Sequence, residues 1–154
     1  MNKVFWVSFA MMTYSGVNSQ TMKDTDTSDV QQVIVRLFDG VAEIDSSKIA
    51  KHTTKDFLLL EDGLIWNSDS LFRVLKPMKS QQFKRSNEFR FIRHEIKGKV
   101  AWIAYYNTAY ISFNGQKREV NWLESAVLVK DSTGWKVKVL HSTMITKPSK
   151  DNRQ

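Results

Sequence analysis

At 154 residues, with 42% hydrophobic and 12% aromatic content, the chain can bury one sizeable core and reads as a single domain. Its formal net charge of +7 is dispersed: Lys76, Lys79, Lys84 and Arg85 cluster only loosely, so the charge reads as a solvated basic surface and nucleic acid is not expected as a partner. The absence of cysteine excludes disulfides, thiolate metal sites, a cysteine nucleophile and a lipidated cysteine.

In chain order, Met1-Asn2-Lys3 supplies a short positive region, Val4 to Met12 an apolar run broken only by Ser8, and Val17-Asn18-Ser19 a small-residue pattern before Gln20. This is the layout of a secretory leader, 1–19, and its apolar run is too short for a permanent membrane anchor. The mature protein is therefore expected to be exported, periplasmic or secreted, after cleavage near Ser19/Gln20. Residues 20–28 are polar and aperiodic and read as a flexible lead-in. The folded domain spans 29–146, followed by a basic tail, 147–154, carrying Lys147, Lys150 and Arg153.

Ser28 or Asp29 can cap a helix on which Val30, Val33, Ile34, Leu37, Phe38, Val41 and Ile44 recur at helical spacing. Gly40 interrupts it, which suggests either close packing or simple tolerance at a cost of about 1 kcal/mol relative to Ala. Asp45-Ser46-Ser47 ends that helix and caps a shorter one over 48–52. Residues 55–66 read as two short strands about Asp62-Gly63. Ser68 or Asp69 caps a third helix bearing Leu71, Phe72 and Leu75, which Pro77 limits to about two turns.

Residues 83–145 read as a four-strand antiparallel meander. Asn114-Gly115 is the dipeptide of a type I′ hairpin, and Ser132-Thr133-Gly134 fits a three-residue turn ending on a left-handed glycine. Pairing Phe113 with Gln116 sets Tyr106 opposite Leu123, Thr108 opposite Asn121, Ala104 opposite Ser125 and Trp102 opposite Val127. Pairing Asp131 with Trp135 sets Val127 opposite Val139 and Ser125 opposite His141. Around Lys97-Gly98 two registers stay open: a two-residue turn faces Phe89 and Phe91 inward, a three-residue turn faces Arg90, Ile92 and His94 inward.

Helices followed by strands argue an α+β domain. The predicted architecture is a cone: a curved antiparallel sheet, made of the four-strand meander plus the small hairpin, with three helices covering its inner face. Because Lys136 and Lys138 are charged, Val137 and Val139 are taken as inward. That choice makes Trp102, Tyr106, Thr108, Asn121, Ser125 and His141 pocket-lining, joined by Trp66. It turns Ile103, Tyr105, Trp122 and Leu128 outward as an apolar patch, read as the interface of a homodimer. Glu124 and Asn107 interrupt that patch.

The leading helix, the break at Asp45, the strand entry Lys55-Asp56-Phe57 and above all Gly134-Trp135-Lys136-Val137 with His141-Ser142 downstream resemble the nuclear transport factor 2-like superfamily, in particular its SnoaL-like and association-domain-like branches. The resemblance covers about 29–146. It implies a conical α+β fold, frequent dimerisation and a cavity put to unrelated uses, so that function does not follow from fold. Steroid isomerases and SnoaL-type cyclases of this superfamily hold an acid/base carboxylate in the cavity, which corresponds here to the region of Glu61 and Asp62. The isomerases' clamp tyrosine corresponds to Leu37, so that constellation is incomplete.

The catalytic candidates are thus His141, whose side chain titrates in the useful range, and Glu61 with Asp62, which also suit a turn for local reasons. His52, His94 and His141 lack paired-ligand spacing, and no phosphate loop or nucleophile elbow appears, so neither metal nor cofactor is expected. Three readings follow: an exported pocket domain for a small, partly apolar ligand; an acid/base lyase, isomerase or hydrolase; and a dimerising interaction module.

Overall fold

The computed structural model describes residues 19–146, with side chains from residue 27; residues 1–18 of the leader and the basic tail lie outside the described residues, and the expected cleavage site Ser19/Gln20 falls at the start of the first helix. Helix α1 (Ser19–Glu43) is followed by α2 (Ser46–His52), β1 (Thr53–Glu61), β2 (Leu64–Trp66), α3 (Ser68–Leu75), a 3-10 turn (Lys76–Ser80), β3 (Lys84–Lys97), β4 (Val100–Phe113), β5 (Gln116–Asp131) and β6 (Gly134–Met144). Helix α1 reaches back through the segment read as a flexible lead-in, because polar residues without an apolar stripe can still extend a helix that its C-terminal half nucleates. Among the described residues no helix is long and apolar enough to cross a membrane.

The apolar stripe of α1 lies against the sheet, with Val30, Ile34, Leu37, Phe38, Val41 and Ile44 all buried. Gly40 is there for close packing: a Cβ would stand 3.0 Å from the Ile49 backbone nitrogen and 3.0 Å from Lys48 Cβ on α2. The helix ends in a Schellman closure, Ile44 N–H to Val41 O at 3.2 Å and Asp45 N–H to Gly40 O at 2.9 Å. The closing residue is Ile44 at φ 51°, where a left-handed isoleucine costs about 1–2 kcal/mol. Full burial of its side chain and the Asp45 cap, which accepts from Ser47 and Lys48 backbone N–H groups, offset that strain. Helix α3 is capped by Asn67, not by Ser68 or Asp69: Asn67 and Ser70 form a reciprocal capping box.

The sheet has six strands in the order β2-β1-β6-β5-β4-β3. The small hairpin does not stand apart from the meander, since β1 pairs with β6 in parallel and joins both into one sheet. All five predicted β4–β5 pairs occur, anchored by the left-handed Asn114-Gly115 turn. The pairs Val127 with Val139 and Ser125 with His141 also occur.

The faces, however, are the reverse of those expected. The final turn has two residues, so Asp131 pairs with Gly134 and Leu128 with Val137; Lys138 is then an extra residue before the register resumes at Val127 and Val139. This bulge changes the parity of β6 halfway along: Trp135, Val137, Leu140 and Ser142 point inward, and His141 outward. A rule of strict alternation carried from Val137 past Lys138 places every later residue on the wrong side. Ile103, Tyr105 and Leu128 are therefore core beneath α1, Trp122 is buried in a second cluster with Ala109 and Ile111, and the four do not form an exposed dimer interface. Trp102, Tyr106, Thr108, Asn121, Ser125 and His141 stand on the outer face, with Trp102 38% exposed. A second bulge at Ile92 resolves the third-strand ambiguity by splitting it: Phe89 and Phe91 face inward on one side of it, and His94 on the other.

Candidate functional site

Between α1, α3, the 3-10 turn and the inner face of the sheet lies a cavity of about 240 Å³. Leu37, Phe38 and Val41 from α1, Phe57 and Leu59 from β1, and Leu75 and Met78 from the helical cap give it apolar walls. Phe38, Phe89, Phe91 and Tyr105 pack ring against ring beside it, at centroid separations of 5.5–6.1 Å.

The polar groups of the cavity come from two rows running across the sheet. In the first, Glu61, Ser142, Glu124 and Tyr105 are successive cross-strand neighbours on β1, β6, β5 and β4. In the second, Arg85, Ile111 and Arg118 are neighbours on β3, β4 and β5. Glu61, Ser142, Glu124, Arg85 and Arg118 all line the cavity.

Glu124 is the centre of this arrangement and is only 4% exposed. Its Oε1 accepts from Ser142 Oγ at 2.9 Å and its Oε2 from Asn107 Nδ2 at 3.1 Å. Asn107 is itself oriented by Asn87, whose Nδ2 donates to Asn107 Oδ1 at 2.6 Å, and Asn87 Oδ1 accepts from Arg85 Nε at 3.0 Å. Burial raises the Glu124 carboxyl to about 7; Ser142, Asn107, Tyr105 and the Arg85 charge hold it from rising further. The Tyr105 hydroxyl lies beside this carboxylate without a well-aligned hydrogen bond, and burial pushes its own titration well above the usual range. Burial also raises Glu61, helped by the charge of Asp62 and opposed by Arg85 and the Trp122 indole.

Arg85 is the more buried of the two cations of the site. Its guanidinium sits 5.5 Å from the ring centroids of both Phe38 and Trp122. Burial lowers its affinity for its proton, the charges of Glu124 and Glu61 restore part of it, and Arg118 opposes them. Among the described residues no carboxylate comes within 4.0 Å of it, and its one hydrogen bond is the Nε bond to Asn87.

Of the residues singled out from sequence, Glu61 and Trp66 line the cavity. Asp62 lies on the hairpin turn at φ 50°, and His141 is exposed on the opposite face, away from both. Sequence reasoning passed over Glu124, Asn107, Ser142 and Arg85 as site residues. The signal was present at Glu124: a carboxylate alternating with Trp122, Ala126 and Leu128 is the residue least suited to an outward apolar patch and best suited to a buried functional face. Among the described residues no group of three or more His, Cys, Asp or Glu side chains is placed to hold a metal ion.

No protein-family model matches the chain, and no curated protein matches it either. Solved structures do. An Erwinia carotovora ketosteroid isomerase-like protein is 13% identical, at a TM-score of 0.63 covering 78% of this chain and 96% of its own. A nuclear transport factor 2-like protein with a cystatin-like fold from Novosphingobium aromaticivorans is 9% identical, with a TM-score of 0.71 over 92% of this chain and 95% of its own. A nuclear transport factor 2-like superfamily protein from Salmonella enterica is 17% identical, with a TM-score of 0.65 over 86% and 99%. Identities this low establish a shared fold and leave the chemistry to the residues of the site.

Proposed function

We propose that this chain, which has the nuclear transport factor 2-like fold, encloses a small, partly apolar molecule between α1 and the sheet, with the molecule's polar end against Glu124 and Arg85. One observation carries the reading: a buried carboxyl, fixed by Asn107 and Ser142, opens onto an otherwise apolar cavity. A polar group so costly to bury earns its place if a ligand completes its hydrogen bonding. The volume of about 240 Å³ is below that of drug-sized sites and suits a compact molecule. Native mass spectrometry of gently purified protein tests it: a bound small molecule in the wild type, absent when Leu37→Trp fills the cavity, is the expected result. Equal retention by both proteins would remove the cavity as the site.

A second reading rests on Glu124 alone. A carboxyl that titrates at about 7 can both take and give a proton near neutral pH, as an acid/base lyase, isomerase or hydrolase requires. Glu61, the other raised carboxyl, is the available partner; Asp62 and His141 stand away from the cavity and are not part of this reading. Glu124→Gln separates the two, abolishing turnover if the second holds and only changing affinity if the first does.

The leader-like sequence supports export, which the mass of the mature N-terminus checks. Self-association through the exposed face of the sheet is the accompanying proposal, because that face presents Trp102, Leu123 and Val127 to solvent.

A further inference from the structure

The two arginines of the cavity carry an inference about what enters it. Arg85 and Arg118 flank Ile111 in one cross-strand row, on the face that lines the cavity. Their charges oppose each other. A groove of about 540 Å³ shares Arg85, Ile111 and Arg118 with the cavity, while its Lys84 and Lys117, one residue along their strands, point to the other face of the sheet. Two cations thus face the cavity from one row, against Glu61 and Glu124 inside it.

The donors in this space are in excess. The terminal nitrogens of Arg85 make no hydrogen bond among the described residues. The indole N–H groups of Trp66 and Trp122, both cavity-lining, are buried without a well-formed bond. Two guanidiniums on one row, two strands apart, beside unbonded donors are a poor arrangement for an empty protein and a good one for holding a carboxylate, which accepts several hydrogen bonds and offsets the repulsion.

We propose that the ligand is a small organic carboxylate on an apolar skeleton, its charged end held between Arg85 and Arg118 and its skeleton against Leu37, Phe57 and Leu75. This rests on the pocket reading above and names the class of molecule. Glu124 then acts as a proton gate. Ionised, it repels the incoming anion; protonated, it removes that repulsion and offers an O–H donor. The charged and titratable groups facing Glu124 are Glu61 from β1, Arg85 from β3, Tyr105 from β4 and Arg118 on its own strand, while β6 contributes Ser142 and α1 contributes Phe38, neither of which titrates. Of these, Glu124 titrates at about 7. Binding above that pH therefore draws a proton onto it from the buffer.

Calorimetric titration of the purified full chain with benzoate, phenylacetate and octanoate, each against its own amide, tests this. The expected result is at least one acid binding about tenfold or more tighter than its amide at pH 6, weakening about tenfold by pH 8. Titrations in buffers of different ionisation enthalpy should show close to one proton taken up per acid bound at pH 8 and little at pH 6. Arg85→Gln should abolish the preference for acid over amide, and the exposed Arg118→Gln, which leaves the core untouched, should cut acid affinity several-fold without affecting the amide. Acids and amides binding alike overturns the carboxylate assignment and leaves the pocket standing. No binding by any of the six compounds up to about 10 mM overturns both.

Discussion

Ser142 Oγ donates a 2.9 Å hydrogen bond to Glu124 Oε1 from the position directly across the β5–β6 ladder. The bond favours the ionised carboxylate, yet burial outweighs it and the carboxyl rises from 4.5 to about 7. An acid whose titration is raised by folding keeps a proton in the native state that the unfolded chain has already lost. Stability therefore falls as pH rises from about 4.5 to about 7 and is flat above, by about 3 kcal/mol for this one group. Glu61 adds to the slope in the same direction. Urea unfolding at pH 5 and pH 8 measures the difference, and Glu124→Gln should remove most of it; a variant with the wild-type slope would show that the buried carboxyl is not its source.

That hydrogen bond exists because Lys138 is an extra residue in β6. Strand identity, the β4–β5 register and the helical stripe of α1 were all legible, since each rests on local spacing or on a turn dipeptide with one favoured geometry. The choice of inner face was not legible. It depends on whether the last turn holds two residues or three and on where the bulge compensates, and the charged pair Lys136 and Lys138 suggested unbroken alternation. Lys138 reaches Asp56 on the neighbouring strand, an ion pair that sequence order gives no hint of. Deleting Lys138 should remove the bulge and leave strict alternation from Val137 onward with the native faces kept, Val137, Leu140 and Ser142 in and Val139 and His141 out. Leu140 keeps its place in the core, and the expected outcome in a denaturant titration is cooperative unfolding retained with only the exposed Lys138–Asp56 pair lost; loss of cooperativity would show that the fold needs the bulge itself.

His141 itself, exposed beside Ser125, should be dispensable. His141→Ala is expected to change stability by no more than about 0.5 kcal/mol and to leave ligand affinity at the wild-type value, as calorimetry would record. A large loss of binding would return the pocket to the face first read from sequence.

Gly40→Ala sets two effects against each other. Alanine gains about 1 kcal/mol of helix propensity over glycine. The added methyl, however, meets the backbone nitrogen of Ile49 at 3.0 Å, and backbone held by the Asp45 cap gives way less easily than a side chain. Overpacking of this kind costs about 1–3 kcal/mol, so the variant should be destabilised by about 1 kcal/mol, with α2 displaced. Thermal unfolding decides the sign; a stabilised Gly40→Ala would mean that α2 moves freely relative to α1.

The outer face of the sheet makes the last prediction. Arg90 covers Tyr106 at 4.2 Å, Trp102 donates to Glu95, and Thr108 donates to Asn121, so these polar groups of the face are already paired within one chain. Beside the exposed Ser125 and His141, this face presents apolar side chains: Leu123 at 43%, Trp102 at 38% and Val127 at 37%. A second copy packed on the same surface about a two-fold axis would bury these side chains. Leu123 lies opposite Tyr106 on β4, so Leu123→Lys places a new charge on that surface and leaves the inner core unchanged. Sedimentation should find the wild type dimeric and the variant monomeric, with similar unfolding midpoints extrapolated to low protein concentration. A wild type that sediments as a monomer at high micromolar concentration would leave this face without a role in self-association.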